Sequence, residues 1–534
     1  MTVREPVTVF NIPEQLIGRF IRKTSVAPPD RAFYACLAGL ALMSCLLQVS
    51  GLPASLWRDE AATASASVRS LPRLLKLLEH YDGGMALYYF FMHFWTTLFG
   101  SSEIALRFPS LVSGFAIPIL AGVLASSMAG RIAGYFSAVF VAMHPLLLPF
   151  FAIEARPYIL ATALVGGASL VARAVSCATE PKQKLLWSWS ILATVAIGMH
   201  FLASVAIATH IFWLIQRPRA RPTVWVPTLA MPVAASGVMA LQSFRQSATQ
   251  SYIPELSVWG VVSAFGSGIL TKGGIAVVAS CMAAIVIALI AKATIMVPMS
   301  LRAVDLLVLI SWSFGPLLVF CLYSLVAAPL LQPRYLIFSS IGFASLVGCL
   351  AAIAWASVVG RRSYRTSLRR SAVVLIIAGL STGIILNYRA GAFRAAPKEE
   401  DLRAASNWIT SRELANDGVL YAPTWAEAGM RWYLSESAPK GEGPINLTAE
   451  KDASAIEVGS LWTPSSRGEI ALDSDFPSVR RVFIVGYSGG NWIPVEDVGS
   501  DIAIAVRKCW MPIEAADFGI EVELWVRSSR SCSV

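Results

Sequence analysis

Two adjacent carboxylates follow the first long apolar segment of the sequence. Asp59 and Glu60 lie in the stretch "SLWRDEAATASAS" (55–67), just after an apolar run that ends near residue 52. A carboxylate at such a place could act as a general base that takes a proton from a hydroxyl group. The pair could equally cap a helix, because acidic side chains in a first turn interact favourably with the helix dipole. Neighbouring residues of a helix point about 100° apart, so Asp59 and Glu60 cannot both face one substrate atom unless the backbone is irregular.

Charged groups recur at the edges of later apolar segments. Asp82 precedes an aromatic-rich segment in which Tyr89 and His93 follow at helical spacing, so the three side chains share one stripe. Glu154 and Arg156 lie in "IEARPY", between two apolar segments. An isolated charge inside hydrocarbon costs several kcal/mol, so these two residues either pair with each other or bind a ligand at the mouth of the helices.

Four more candidates could hold an anion such as a phosphate. Arg334 and Tyr335 begin an apolar segment, His200 lies in the short turn "GMHFL", and Lys272 precedes two glycines. Each also has a structural alternative: an arginine can snorkel to the membrane interface, and a lone histidine is often a satisfied core residue. For Arg107, in "ALRFPS", interface anchoring is the expected role.

Composition places these residues in a membrane protein. Of 534 residues, 56% are hydrophobic and 14% charged, and the mean hydropathy is +0.61, which excludes an ordinary soluble domain. Apolar runs recur from residue 32 to about residue 386, and crossing ~30 Å of hydrocarbon takes roughly 20 residues. The net charge of +10 does not indicate nucleic acid as a partner, because Lys and Arg form short clusters between the apolar runs.

The basic clusters orient the chain, since cytoplasmic loops are rich in Lys and Arg. With those clusters inside, residues 1–31 form a cytoplasmic segment, 53–107 the first external loop, and the chain after residue 387 lies outside. The pattern predicts an α-helical polytopic protein of about eleven spans: 32–52, 109–128, 132–151, 157–175, 185–198, 200–215, 223–241, 273–295, 303–327, 335–358 and 371–388. The pair 185–198 and 200–215 is short for two spans, so broken or shallow helices are expected there.

Two apolar segments do not fit as spans. If residues 83–100 crossed the membrane, every later basic cluster up to Arg221 would fall on the wrong side, so we expect a helix at the outer interface. Residues 256–270 are short and glycine-rich, which favours a re-entrant or surface helix.

A domain of different composition follows the last span. Residues 389–534 are more charged and predict a small extracytoplasmic α/β domain. A helix is expected over 401–415, and strands are expected in "DGVLYAP", "RRVFIVGYSGG", "DIAIAVRKCW" and "GIEVELWVRS". Cys509 and Cys532 could form a disulfide in an oxidising compartment, with two unpaired thiols as the alternative.

Several of these motifs together resemble a known family. "LWRDEAATASASVRSL", "HYDGGMALYYFFMHFWTTLFGSSEIALRFPSLVSG", "AMHPLLLPFFAIEARPYILATALV" and "PRYL" occur in that order. They resemble the polytopic glycosyltransferases of the protein O-mannosyltransferase and lipid A aminoarabinose transferase group (GT-C fold, family 39), in a bacterial, actinobacterial branch. The similarity is detailed over about residues 32–175 and looser up to residue 388, so it covers the predicted transmembrane catalytic domain 32–388.

The resemblance implies an inverting transfer of a sugar, most often mannose, from a polyprenyl-phosphate donor at the outer face of the plasma membrane. The acceptor is a protein, a lipid or a glycan. It matches Asp59 with an essential Asp of the family, Asp82 with an acidic residue of relatives, and Arg334 with a basic residue near the lipid phosphate. For such a reaction we expect Glu60 to support Asp59, and Asp82 to share in the catalysis. Candidates for binding the donor phosphate are Arg156, Arg334, Tyr335, His200 and Lys272, and candidates for an acceptor groove are Tyr89 and His93. The chain departs from the family where Gly83 and Gly84 replace the "hPP" or "KP" of many relatives, which puts a basic residue at that point in doubt.

A metal ion and a second function class stay open. Asp59 and Glu154 offer oxygen ligands that would suit Mg²⁺ or Mn²⁺. A transporter or flippase of lipid-linked glycans is the alternative function. It predicts charges near the bilayer midplane and paired halves with matching broken helices, and the sequence has neither pattern.

Overall fold

The fold is described from a computed structural model of the chain. It describes all residues except 1–20, 26–27, 145–146, 149, 181, 217–221, 247–252, 291–294, 299, 360–373, 376–377, 380, 384, 387–388, 390–399, 438–442, 448–459, 461–477, 487–497 and 529–534.

The chain is a multi-pass membrane protein built from long apolar helices. In the described part, six helices are long and apolar enough to cross a membrane: Arg31–Gly51, Glu103–Ala142, Tyr158–Cys177, Pro222–Arg245, Ala303–Val326 and Pro333–Ser357. Shorter apolar helices occupy Ala203–Leu214, Val258–Ile269 and Ile275–Val286. Large apolar side chains such as Val233 and Leu325 are exposed along these helices, as expected for surfaces that face lipid.

Several predicted irregularities appear in the helices. The helix Glu103–Ala142 (α5) breaks at Ala129 and Gly130, and Gly130 has a φ of 81°. Ser137 Oγ donates to the carbonyl of Ala121 at 3.2 Å across this break, so the chain reverses next to Arg131, where a turn was predicted. The predicted pair 185–198 and 200–215 appears as one helix, Gln183–Met199 (α7), and two short ones. Half of the predicted span 371–388 lies outside the described residues, and the predicted count of eleven stays a prediction.

The segment between the first two long apolar helices contains three helices: Arg58–Ser67 (α2), Leu71–His80 (α3) and Ala86–Phe99 (α4). With 14 residues, α4 is about 21 Å long at 1.5 Å per residue, too short to cross hydrocarbon. The position at the membrane interface predicted for residues 83–100 stays a prediction. The segment predicted as re-entrant or surface helix forms the helix Val258–Phe265 and a π-helical turn, Gly266–Leu270.

The remaining elements are as follows. The other helices are α1 (Arg31–Leu46), α6 (Tyr158–Cys177), α8 (Ala203–Ala208), α9 (Ile211–Leu214), α10 (Pro222–Arg245), α11 (Val258–Phe265), α12 (Lys272–Ile290), α13 (Ala303–Val326), α14 (Ser340–Val359), α15 (Leu402–Thr410), α16 (Glu427–Ser437) and α17 (Val498–Cys509). The strands are β1 (Ile21–Thr24), β2 (Ile295–Pro298), β3 (Gly418–Ala422), β4 (Ile445–Asn446), β5 (Arg481–Gly486), β6 (Met511–Asp517) and β7 (Glu521–Val526).

The C-terminal region forms a three-layer α/β unit. Its five strands have the order β4-β3-β5-β7-β6, with β3 parallel to β4 and β5, and β7 antiparallel to β5 and β6. Alternate strand residues face opposite sides, so Tyr421 and Phe483 pack in the core shared with α15, while Leu420 and Ile484 pack against α17.

One predicted strand of this domain is wrong. "DIAIAVRKCW" forms the helix α17, in which Ile502, Ala503 and Val506 are buried and Ile504 is exposed. The alternation of isoleucine and alanine is typical of a strand, but burial at spacings of three and four follows a helix. Cys509, at the end of α17, is disulfide-bonded, whereas Cys532 lies outside the described residues.

Candidate functional site

A buried ion pair fixes the start of α2. Glu60 and Arg107 are both fully buried, with Arg107 Nη2 at 2.5 Å from Glu60 Oε2 and Nε at 2.7 Å from Oε1. Arg107 also donates to the carbonyls of Gly51, Leu52, Ala54 and Ser55. The interface-anchor role expected for Arg107 is therefore wrong, since its guanidinium lies in the protein interior and binds the loop backbone.

Glu60 has a second structural function. Its carboxylate accepts hydrogen bonds from the backbone N–H groups of Ala155 at 2.8 Å and Trp57 at 3.3 Å. The bond to Trp57 satisfies the helix N-terminus, as the capping alternative required. Glu60 therefore links α2, α5 and the segment before α6, which fits the supporting role.

Asp59 points elsewhere, as adjacent helical residues must. Its side chain is 25% exposed, and Arg334 Nη1 lies 3.5 Å from Oδ2. Arg58 Nε lies 4.0 Å from Oδ1. Asp59 thus lies between two guanidinium groups, one from its own helix and one from the segment that precedes α14.

A second cluster forms next to it around Arg156. Arg156 Nη1 donates to Tyr89 Oη at 3.1 Å and lies 3.6 Å from Asp82 Oδ2. Tyr89 Oη donates to Asp82 Oδ2 at 2.5 Å, which agrees with the predicted helical stripe. Arg156 also lies within electrostatic range of Asp59. Its buried Nε has no hydrogen-bond acceptor among the described residues.

The glycines that depart from the family pattern lie in a crowded turn. Asp82 has a left-handed φ of 53°, which Asp tolerates better than most residues. A Cβ on Gly83 would collide with Gln242, and one on Gly84 would collide with Ser243. Gln246 accepts from the Gly83 N–H at 2.8 Å, so α10 packs directly on this turn. The turn therefore has no space for a larger residue.

Aromatic rings line the other side of Arg334. The guanidinium lies 5.5 Å from the ring of Tyr335, and the ring of Tyr335 lies 6.0 Å from that of His200. His200 also contacts the rings of Tyr158 and Phe338, at 5.2 and 5.1 Å. His200 is buried, and its Nδ1 accepts from the N–H of Leu202 at 3.3 Å, which leaves the proton of a neutral ring on Nε2.

The remaining predicted site residues are Glu154, His93 and Lys272. Glu154 is buried, and its carbonyl accepts from Ser110 Oγ at 2.6 Å. His93 Nδ1 lies 2.9 Å from the carbonyl of Ser67, at the end of α2. Lys272 is exposed at the start of α12 and makes none of the contacts described above.

The structure was compared with the metal site predicted at Asp59 and Glu154. Within the described ranges, no group of three or more His, Cys, Asp or Glu side chains comes together that could hold a metal ion. Asp59 is instead flanked by two arginines. The predicted ligands Asp59 and Glu154 thus belong to no such group in the described part of the chain, and the metal site stays a prediction.

The C-terminal domain contacts the loop that carries Asp59. Tyr433 Oη accepts from the N–H of Leu56 at 2.8 Å, and the carboxylate of Glu400 accepts from the N–H of Arg58 at 2.9 Å. Arg403 donates to the carbonyl of Pro53 at 3.0 Å and pairs with Glu103. Sequence reasoning missed these residues because they lie at least 300 positions from their partners.

Comparison with known proteins decides the fold. No protein-family model and no curated protein matches the sequence. The crystal structure of ArnT from Cupriavidus metallidurans bound to undecaprenyl phosphate is similar, with a TM-score of 0.53 and 12% identity over 95% of this chain and 100% of that chain. The apo state of the same ArnT gives a TM-score of 0.50 and 12% identity over 94% of this chain and 98% of that chain.

The chain has the GT-C glycosyltransferase fold. The predicted fold class is confirmed, including the C-terminal sheet region, whereas the mannosyltransferase branch stays a prediction. Similarity at 12% identity concerns the GT-C fold alone, so the role of each side chain depends on its own geometry.

Proposed function

We propose that this protein is an inverting glycosyltransferase that moves a sugar from a polyprenyl-phosphate donor to an acceptor outside the cytoplasm. One observation carries the proposal: the carboxylate of Asp59 lies 3.5 Å from Arg334, while Arg156 lies in its electrostatic range with a buried Nε that lacks an acceptor among the described residues. A base beside two cations is what displacement of a phosphate leaving group requires. The GT-C fold supports the same reaction class.

In this proposal each group has a defined step. Asp59 takes the proton of the acceptor hydroxyl while the oxygen of that hydroxyl bonds to the anomeric carbon of the donor sugar. The bond from that carbon to the phosphate oxygen breaks, and the polyprenyl phosphate leaves with the electron pair. Arg334 and Arg156 stabilise the negative charge that grows on the phosphate. Asp82 and Tyr89 hold Arg156 in place through the contacts at 3.6 and 3.1 Å.

The donor class, the orientation and the sugar belong to the same proposal. The ArnT structure contains undecaprenyl phosphate, which supports a polyprenyl-phosphate donor here. We place Asp59 and the C-terminal domain on the outer face of the plasma membrane, in accordance with the basic clusters. Mannose is the sugar that the family resemblance implies. A flippase is not supported by any contact of the described residues.

Asp59→Asn tests the proposed base. The change keeps the size of the side chain and removes its ability to accept a proton at neutral pH, so transfer from a polyprenyl-phosphate donor in membranes should fall by about 10²- to 10⁴-fold. Arg412→Gln is the control, because Arg412 pairs with Glu514 on the exposed face of the C-terminal domain. Unchanged transfer by Asp59→Asn, at equal amounts of folded protein, would remove Asp59 from the reaction.

A further inference from the structure

Arg69, just after α2, is a buried cation with unused hydrogen-bond donors. It is 3% exposed, and its Nη2 donates to the carbonyl of Ser460 at 2.7 Å. Within the described part of the chain, Nε and Nη1 have no acceptor. A guanidinium carries five N–H donors, and burying them unpaired costs free energy unless an acceptor is supplied. Nε and Nη1 of Arg69 are therefore available to an oxygen-rich ligand, as far as the described residues go.

A second arginine, in the C-terminal domain, lies near Arg69. Arg431, on α16 of the C-terminal domain, is close enough for its charge to matter: burial, and then repulsion by Arg431, lower the pKa of Arg69 to about 10. Arg431 itself pairs with Glu427. That carboxylate offsets one of the two positive charges, and none of the ion pairs among the described residues includes Arg69. Among the ion pairs of the described residues, the positive charge of Arg69 is thus not offset.

The position of Arg69 favours a role in binding a substrate over a role in stabilising the fold. Two residues before Arg69, the carbonyl of Ser67 contacts His93. Arg69 also lies within electrostatic range of Tyr89, which binds both Asp82 and Arg156. His93 and Tyr89 are the residues predicted to line the acceptor groove. Arg69 is thus beside that groove, where the first external loop meets the C-terminal domain.

We propose that Arg69 and Arg431 bind an oxyanion, a phosphate or a carboxylate, carried by the acceptor substrate. The planar fork of a guanidinium matches both groups with two parallel hydrogen bonds, which explains an arginine at this position. The proposal rests on the glycosyltransferase function proposed above, and it specifies an anionic acceptor. This anion is separate from the donor phosphate, which we assign to Arg156 and Arg334.

Inorganic phosphate tests the site with purified full-length protein in detergent. The thermal midpoint should rise by a few degrees as sodium phosphate replaces sodium chloride at constant ionic strength, because a ligand that binds only the folded state stabilises it. Arg69→Gln should lose this rise. Arg412→Gln should keep the full rise. In the Arg156→Gln background, replacing Arg69 by Gln should still reduce the rise, because the two arginines bind different anions. If Arg69→Gln does not fold, Arg69→Lys and Arg431→Gln replace it, each with a reduced rise.

Transfer in membranes then distinguishes the source of the anion. If the acceptor carries it, phosphate should inhibit transfer in a way that added donor does not relieve, and Arg69→Gln should need at least about tenfold more phosphate for half inhibition. A thermal rise through Arg69 without such inhibition would mean a free inorganic ion and would overturn the acceptor assignment. An equal rise in wild type and Arg69→Gln, or none in wild type, would overturn the site. Failure of the proposed function would appear instead as unimpaired transfer by Asp59→Asn with the phosphate rise intact.

Discussion

Arg107 uses every donor of its guanidinium on the chain around Asp59. Two donors hold Glu60, and the others hold the carbonyls of residues 51, 52, 54 and 55. In the proposed reaction the base must be held in a fixed position to deprotonate a hydroxyl efficiently, so this fixed backbone would support the role proposed for Asp59. The two adjacent acidic residues thus have different roles. Glu60 fixes the start of α2, and Asp59 faces Arg334.

Glu60→Gln should destabilise the protein strongly. The change leaves Arg107 charged and buried without its counter-ion, and breaking a buried pair in this way costs roughly 3–5 kcal/mol of unfolding free energy. Thermal or denaturant unfolding of the purified protein measures the loss. Glu514→Gln, which breaks an exposed pair with Arg412, should cost less than about 1 kcal/mol. Equal stability of the two variants would contradict the structural role of Glu60.

Tyr89→Phe should slow transfer without unfolding the protein. It removes the hydroxyl that bonds to both Asp82 and Arg156, so Arg156 loses its alignment and the rate should fall roughly tenfold to a hundredfold. Tyr88→Phe is a matched control: Tyr88 is equally buried and makes neither bond among the described residues. The hypothesis fails if both variants transfer sugar at the same rate.

At the scale of elements, close helix packing sets the distance between Arg334 and Asp59. Arg334 lies in the turn Pro333–Ser339 that leads into α14, and α14 packs along α5. The contact depends on Gly348, where a Cβ would collide with the carbonyl oxygen of Ala133. Ala133 follows the break of α5 at 129–130, so this contact fixes α14 against the second half of α5.

Gly348→Ala should therefore reduce both stability and transfer. The added methyl group meets rigid backbone, so we expect a loss of about 1–3 kcal/mol in unfolding free energy and a slower reaction. Gly315→Ala on α13 is the control, because no atom lies within 4 Å of its Cβ position; it should be neutral or stabilise by up to about 1 kcal/mol. Unfolding midpoints and transfer rates of both variants decide the question.

Local sequence pattern predicted the elements better than the contacts between them. Spacing along one helix predicted that Asp82 and Tyr89 would meet, and a basic residue between apolar runs predicted the turn at 129–130. The pair of Glu60 and Arg107 joins residues 47 positions apart, which periodicity cannot reveal. The helix α17 was taken for a strand because its isoleucines alternate.

At the scale of the whole molecule, the C-terminal domain contacts the segment that leads into α2. Hydrogen bonds from Tyr433 and Glu400 to the N–H groups of Leu56 and Arg58 hold the chain just before Asp59. Two parts in such contact must lie on the same side of the membrane. The domain is therefore well placed to support catalysis.

Cysteine labelling should place the segment around α2 and the C-terminal domain on the same side of the membrane. A cysteine at Ser70 or Asn416, both exposed, should react with an impermeant reagent on intact cells, and one at Glu180 should react only after the membrane is opened. Glu180 follows α6, whose 20 residues span about 30 Å from the side of Arg156. Lysed cells control for reactivity. Labelling of Glu180→Cys but not Ser70→Cys on intact cells would reverse the proposed orientation.

Tyr433→Phe should slow transfer although Tyr433 touches none of the site's charged side chains. Its hydroxyl accepts from the N–H of Leu56 and lies 3.0 Å from Glu103 Oε1, so its removal loosens the turn into α2. If Tyr433 only positions Asp59, kcat should fall several-fold while the KM for the donor changes little, because donor binding depends on Arg156 and Arg334. Arg507→Gln, which breaks a pair with Glu523 on α17 and β7, should leave both constants unchanged. An increase in KM alone would mean that the domain acts on donor binding instead of on the base, because alignment of Asp59 affects only the chemical step.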